Sequence, residues 1–226
     1  MLKINSLLSV FYPENCKCCQ GYLVKGEFLF CLNCELNFGK LSQIDDKSLE
    51  IEQLFWGKAS VESAVAVFQF LKQENLQFIV HEFKYKGNGD LAIRMGEIIG
   101  YNYALPIKFL DAVSYVPMHP KKEKKRGYNQ AQKLAEGFSN VTGVKTIPLL
   151  ERIKNTETQT EKDVFERFEN MEDKFEVINS LEEIKHVLLI DDVITTGATL
   201  AACTNILTKK GVRVSLVSLA YRGLNF

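Results

Sequence analysis

The chain has 226 residues, 46% of them hydrophobic and 25% charged. That composition excludes disordered, collagenous and coiled-coil chains and fits one full domain plus a small appendage. Lysine plus arginine and aspartate plus glutamate each total 28, so no overall field steers the protein toward nucleic acid or lipid. No apolar run approaches the roughly 18 residues of a membrane span, and membrane insertion is not expected.

Charge is nonetheless uneven along the sequence. Between His119 and Lys133 six basic residues meet one acid, Glu123, giving a local +5. From Glu151 to His186 eleven acids meet six bases, a local −5. A zero net charge hides this asymmetry, which bears on one site rather than on the whole surface.

Residues 1–13 carry a single positive charge and a short apolar stretch without a small-residue cleavage site. They read as a helix packing on the body rather than as a secretory signal. The expected compartment is the reducing cytoplasm, where clustered cysteines bind metal more often than they form disulfides. Five of the six cysteines fall between Cys16 and Cys34. The pairs Cys16-x-x-Cys19 and Cys31-x-x-Cys34 are separated by eleven residues. Each places two thiolates on one knuckle, and two knuckles complete a tetrahedral sulfur shell suited to a structural zinc ion. A bare thiol cluster and a redox pair are the alternatives, and Cys18 competes with Cys16 or Cys19 as a ligand. The knuckle either holds the fold together or touches a partner. Residues 1–45 form the expected zinc-finger module and residues 46–226 the main domain.

From Val61 onward strand-like and helix-like stretches alternate. A strand is expected over 64–68, then helices over 74–86 and 91–103, separated by the turn Gly87-Asn-Gly89. A buried strand over 111–116 ends at Pro117. The basic residues after His119 read as a turn, followed by an amphipathic helix over 129–141. Residues 152–170 are polar, without a sustained apolar period. The fully apolar 187–190 is the mark of an inner parallel strand. A helix over 199–210 stops at Gly211, and a strand over 212–221 closes the chain. Such alternation predicts an α/β domain with a mainly parallel sheet flanked by helices.

The sharpest signal is Val187-Leu-Leu-Ile-Asp-Asp-Val-Ile-Thr-Thr-Gly-Ala-Thr199. A buried strand delivers Asp191 and Asp192 to its C-terminal end, where open α/β sheets bind ligands. The loop Thr195-Thr-Gly-Ala-Thr199 then turns into a helix, and its hydroxyls, glycine and free N–H groups make an anion cradle. Two carboxylates for a diol beside a cradle for a phosphate suit a sugar phosphate. Helix capping alone would need only one such residue.

This segment resembles the ribose-phosphate motif of type I phosphoribosyltransferases: four apolar residues, two acids, then T-T-G-x-T. The resemblance implies that Asp191 and Asp192 hold the ribose hydroxyls of phosphoribosyl pyrophosphate. It assigns the 5-phosphate to Thr195, Thr196, Gly197, Ala198 and Thr199. Tyr115-Val-Pro-Met-His-Pro120 followed by Lys125-Arg-Gly-Tyr-Asn-Gln-Ala131 resembles the corresponding segment of ComF/ComFC proteins, a group associated with competence and DNA uptake. The double CxxC, Phe83-Lys-Tyr-Lys-Gly87, and Arg152 with Thr156, Gln159, Arg167 and Asn170 match the same group in order.

The resemblance implies a type I phosphoribosyltransferase-like fold and a ligand bound together with Mg²⁺. It places pyrophosphate against Pro117, His119 and Lys121. Arg126 joins the acids as a catalytic group, and Lys84 is a further anion contact; a surface salt bridge is the alternative for each of these two cations. Residues 152–170 become either a loop closing on substrate or a plain surface loop. The expected reaction is attack at the anomeric carbon with loss of pyrophosphate. No general base and no base-recognition pocket is identifiable, so the acceptor stays open. Two rival readings remain: a non-catalytic sensor or scaffold acting on DNA-uptake proteins, and single-stranded DNA binding by the knuckle and the basic turn.

Overall fold

The computed structural model describes residues 15–25, 27, 29–36, 40–41, 46–69, 75–104, 106–153 and 174–223. The expected N-terminal helix and residues 154–170 of the expected closing loop lie outside this set.

Apolar runs rich in valine and alanine build a four-stranded sheet. Its order is β1 (Ser63–Gln69), β6 (Arg213–Tyr221), β5 (His186–Ile194) and β2 (Ala112–Tyr115), every neighbouring pair being parallel. A short antiparallel pair, β3 (Leu150–Arg152) and β4 (Phe175–Val177), stands apart from it. The helices are α1 (Leu32–Leu36), α2 (Asp46–Gln53), α3 (Asn75–Tyr85), α4 (Gly89–Asn102), α5 (Pro120–Arg126), α6 (Gln130–Thr142) and α7 (Ala198–Thr208).

Successive side chains of a strand point to opposite faces, so each strand serves two cores. On one face Val65, Val67, Val113, Leu188, Ile190 and Val217 pack against α3, α4 and α6. On the other, Ala64, Ala66, Ala112, Leu189, Val214 and Leu216 pack against α2, Phe55 and α7. Each fully buried leucine or phenylalanine contributes roughly 2 kcal/mol. Helices α4 and α6 touch backbone to backbone: a Cβ on Gly137 would lie 1.9 Å from the Ile93 carbonyl oxygen. Cys16, Phe30 and Cys34 join the core shared by α3, α4 and α6, so the cysteine knuckle is seated on the body.

Two stretches differ from the sequence expectation. The basic segment after His119 is a helix, α5, and not a turn. Proline at its first position, the His119 side chain capping Lys121 N–H, and Gly127 in the left-handed region at its end bound it on both sides. Three of its cations, Lys124, Lys125 and Arg126, fall in the last turn, where the helix dipole favours them. Strand β5 runs on through both acids to Ile194, and does not end at Ile190, because β6 keeps pairing with it as far as Ile194↔Tyr221.

Candidate functional site

The edge strand β2 stops pairing early. Its last partner is Tyr115↔Ile190, with Val116 N–H donating to the Ile190 carbonyl at 3.0 Å. Pro117, buried and without an N–H, ends the ladder. Beyond that point β5 has β6 on one side and a notch on the other, at the C-terminal edge of the sheet, where open α/β folds bind ligands. Asp191 and Asp192 stand on this overhanging stretch.

As adjacent strand residues the two acids serve opposite faces. Asp192 projects toward α3 and α6, with its side chain 6% exposed. Its Oδ2 takes both the Lys84 Nζ at 2.9 Å and the Gln130 Nε2 at 2.8 Å. The Lys84 ammonium, an expected anion contact, is thus paired to the acid. Gln130 Oε1 in turn accepts from the Arg126 guanidinium, which stacks over the Tyr85 ring at 5.4 Å.

The residues around Arg126 are anchored one by one. The Tyr128 hydroxyl donates to the Phe83 carbonyl, tying the loop to α3. Asn129 donates to the Val116 carbonyl at 3.0 Å and its Oδ1 caps Ala131 N–H at 3.0 Å. The start of α6 is thereby fixed to the end of β2, which sets where Gln130 stands.

Asp191 faces the other way, toward α7 and the loop before it. Its Oδ1 accepts the Asp192 N–H at 2.8 Å. Burial first, and then the neighbouring Asp192 charge, push the Asp191 carboxyl up to about 7, against the opposing pull of that N–H and of Lys84. Asp191 and residues 195–199 line one small concavity. Thr195 and Thr196 are exposed there, and Thr196 Oγ1 accepts Ala198 N–H at 3.4 Å. Gly197 precedes α7 with φ +73°, and a Cβ on it would meet the Phe55 ring at 3.1 Å. Only glycine satisfies both the left-handed backbone and the contact.

The acids, Lys84 and Arg126 are therefore gathered in one hydrogen-bonded group, and the 195–199 loop adjoins Asp191. His119 is buried and spends Nδ1 on Lys121 N–H at 3.2 Å, while the Lys121 side chain is exposed on the first turn of α5. Gln130 is the residue that sequence reasoning passed over. It counted as part of an amphipathic helix face, although it stands four residues after Arg126 within the same motif.

The second cluster is the knuckle. The sulfurs of Cys16, Cys19, Cys31 and Cys34 all lie within 4.8 Å of one another, and those of Cys19 and Cys31 are 3.7 Å apart. A zinc ion with bonds of about 2.3 Å to four tetrahedral sulfurs needs them about 3.8 Å apart, so the quartet fits zinc. Burial opposes ionisation of Cys16, but the N–H groups of Cys19, Cys31 and Cys18 outweigh it and bring the thiol down to about 6. Cys18 stands outside the quartet, and burial with the charges of Cys16 and Cys19 pushes it up to about 12.

Comparison with known proteins sharpens the reading. Over 109 residues the chain is 34% identical to competence protein F of Haemophilus influenzae, covering 47% of this chain and 48% of the relative. Over 138 residues it is 32% identical to competence protein ComFC of Bacillus subtilis, covering 60% of this chain and 55% of the relative. Both relatives fit the resemblance to ComF proteins carried by the motifs of this sequence. A more distant ComF-like relative is the DNA utilization protein YhgH of Salmonella typhimurium, 23% identical over 142 residues, 60% of this chain and 62% of that one. The matches thus span about half to somewhat over half of these relatives' lengths. No protein-family model matches.

Among solved structures the chain is similar to glutamine phosphoribosylpyrophosphate amidotransferase from B. subtilis, with a TM-score of 0.43 at 19% identity, over 61% of this chain and 30% of that one. It is also similar to adenine phosphoribosyltransferase from Leishmania tarentolae, with a TM-score of 0.39 at 12% identity, over 80% of this chain and 89% of that one. In the chain itself, a parallel sheet flanked by helices carries a strand–acid–loop–helix unit at its C-terminal edge, as the sequence implied. Among the described residues no helix is long and apolar enough to cross a membrane.

Proposed function

We propose that this protein binds phosphoribosyl pyrophosphate at the notch and transfers its phosphoribosyl group to an acceptor, in a cellular role linked to DNA uptake. The observation carrying this reading is the overhanging end of β5. A buried acid, Asp192, and a second acid, Asp191, stand there beside a glycine-gated loop that opens a helix. The acids take the ribose hydroxyls, and the amides and hydroxyls of residues 195–199 take the 5-phosphate. The pyrophosphate lies toward Arg126, whose planar fork suits phosphate oxygens, with Pro117, His119 and Lys121 beside it. Lys84 balances the charge of Asp192 at the same site.

Among the described residues the cysteine quartet is the only group of three or more candidate metal ligands. Magnesium would enter with the ligand, as the counter-ion of the pyrophosphate. The protein's part is fixed electrostatics: Arg126 and the loop amides stabilise charge gathering on the departing pyrophosphate, while the acids hold the sugar. The zinc ion expected at Cys16, Cys19, Cys31 and Cys34 is structural, since four sulfurs leave no open position, and the module that carries it covers residues 1–45.

One observation favours a non-catalytic reading, in which the protein senses the ligand or serves as a scaffold for DNA-uptake proteins or single-stranded DNA. Arg126 rests on the exposed Tyr85, next to the exposed lysines of α5, and a cation on an aromatic is a surface that bases stack on. Calorimetric titration of phosphoribosyl pyrophosphate with magnesium tests the shared premise. Micromolar binding lost in Asp191→Asn/Asp192→Asn supports it, and no binding by the intact protein refutes the enzyme and the sensor and leaves only the scaffold. Release of pyrophosphate in the presence of candidate acceptors separates the enzyme from the sensor.

A further inference from the structure

We infer that Gln130 is the positioning residue of the notch: it orients the Asp192 carboxylate for the sugar and ties that orientation to Arg126. The inference rests on the reading of the notch as a phosphoribosyl pyrophosphate site and names a residue role within it.

Three contacts carry it. Gln130 Nε2 donates to Asp192 Oδ2 at 2.8 Å, Gln130 Oε1 accepts from Arg126, and Lys84 Nζ lies 2.9 Å from the same Oδ2. A guanidinium only donates and a carboxylate only accepts, so the amide between them has one workable orientation, with oxygen toward Arg126 and nitrogen toward Asp192. Both partners of Asp192 fall on Oδ2. Its Oδ1 makes no hydrogen bond among the described residues, and it is the oxygen left for a ribose hydroxyl.

Lys84 and Gln130 do different jobs there. An ammonium on a flexible stem attracts the carboxylate from any direction and orients it poorly. The planar amide does orient it, because its own base is fixed: Gln130 opens α6, directly after the Asn129 cap that is bonded to Val116. Being neutral, Gln130 changes the geometry of the site without changing its charge. Its other end holds the group expected to meet pyrophosphate, so movement at the anion side reaches the diol side through one side chain.

The test titrates ribose 5-phosphate, phosphoribosyl pyrophosphate with magnesium, and inorganic pyrophosphate into the full chain and into Gln130→Met and Gln130→Glu. Gln130→Met is expected to weaken the two ribose ligands about tenfold, the scale of a lost hydrogen bond to a charged group, and to weaken inorganic pyrophosphate clearly less, because Arg126 keeps its seat on the Tyr85 ring. Gln130→Glu sets an acceptor against Oδ2 and is expected to weaken the ribose ligands further. Equal losses for all three ligands would mean damage to the fold and overturn the positioning role. Unchanged ribose 5-phosphate binding by Gln130→Met, while Asp192→Asn abolishes it, would overturn the inference and leave the site standing. Failure of the unaltered protein to bind either ribose ligand would remove the site, and the inference with it.

Discussion

The pairing of Lys84 with Asp192 makes a quantitative demand on stability. At 2.9 Å, with a side chain 6% exposed on the acid and 22% exposed on the lysine, a unit-charge pair in an effective dielectric of about 20 attracts by roughly 6 kcal/mol. Desolvation offsets part of that. Removing one partner of a buried pair typically costs 3–5 kcal/mol, because the other charge is left behind. Lys84→Met keeps most of the side-chain volume and strips the charge, leaving Asp192 with Gln130 alone. Because the lysine is partly exposed, the expected loss is about 3 kcal/mol, or roughly 9 °C in Tm for a chain of this length. Asp192→Asn leaves a lysine that can turn to solvent and should cost only about 1 kcal/mol. The double variant should return to within about 1 kcal/mol of the parent, since it has neither charge. Urea unfolding of the four proteins at pH 7.5 gives the coupling energy directly. If Lys84→Met costs less than 1 kcal/mol, or if adding Asp192→Asn deepens its loss, the ion pair does not hold this edge of the site as described.

Other outcomes follow from the same geometry. Desolvation and the Asp192 charge push the Asp191 carboxyl up to about 7, above the roughly 3.9 of an unfolded aspartate. Its contribution to stability is thus full below about pH 4 and lost as pH rises to about 7. Thermal melts of the free protein should fall across that window, and Asp191→Asn should flatten the slope; an unchanged slope would refute the burial of this acid. Gly197→Ala forces a left-handed alanine and presses a methyl on the Phe55 ring at 3.1 Å. About 2 kcal/mol of stability should be lost, along with at least tenfold in affinity for ribose 5-phosphate; a neutral result would contradict the loop geometry. Atomic emission should find one zinc ion per chain, and Cys34→Ser should abolish it, whereas retention of the metal would point to Cys18 as a ligand. Gly137→Ala drives a Cβ into the Ile93 carbonyl and should cost several kcal/mol in urea melts, more than any exposed alanine substitution on α6.

The alternation of strands and helices was legible because parallel strands buried on both faces are apolar throughout, as at residues 187–190. The length of β5 was not, because two aspartates break a hydrophobic run although β6 goes on pairing beside them. The helix α5 was hidden by its charge: seven residues without an apolar face carry no periodicity, yet Pro120 and Gly127 marked both ends. The cysteine quartet could be read whole, since ligand spacing is local in sequence. Its exclusion of Cys18 could not, because that depends on how the knuckle folds. Gln130 stands 62 residues from Asp192. Only the docking of α6 onto the end of β2 joins them, and one chain's sequence carries no trace of such a contact.

The placement of the two acids on opposite faces of β5 has a consequence for how this protein can be altered. Adjacent in the chain, they answer to different neighbourhoods, Asp191 to α7 and Phe55's side of the sheet, Asp192 to α3 and α6. Substitutions scattered through one layer would retune one carboxylate directly and reach its neighbour only through the charge of the acid beside it. The site behaves like two instruments tuned from separate rooms, and drift in sugar recognition can come from either without a change in any residue that touches the ligand.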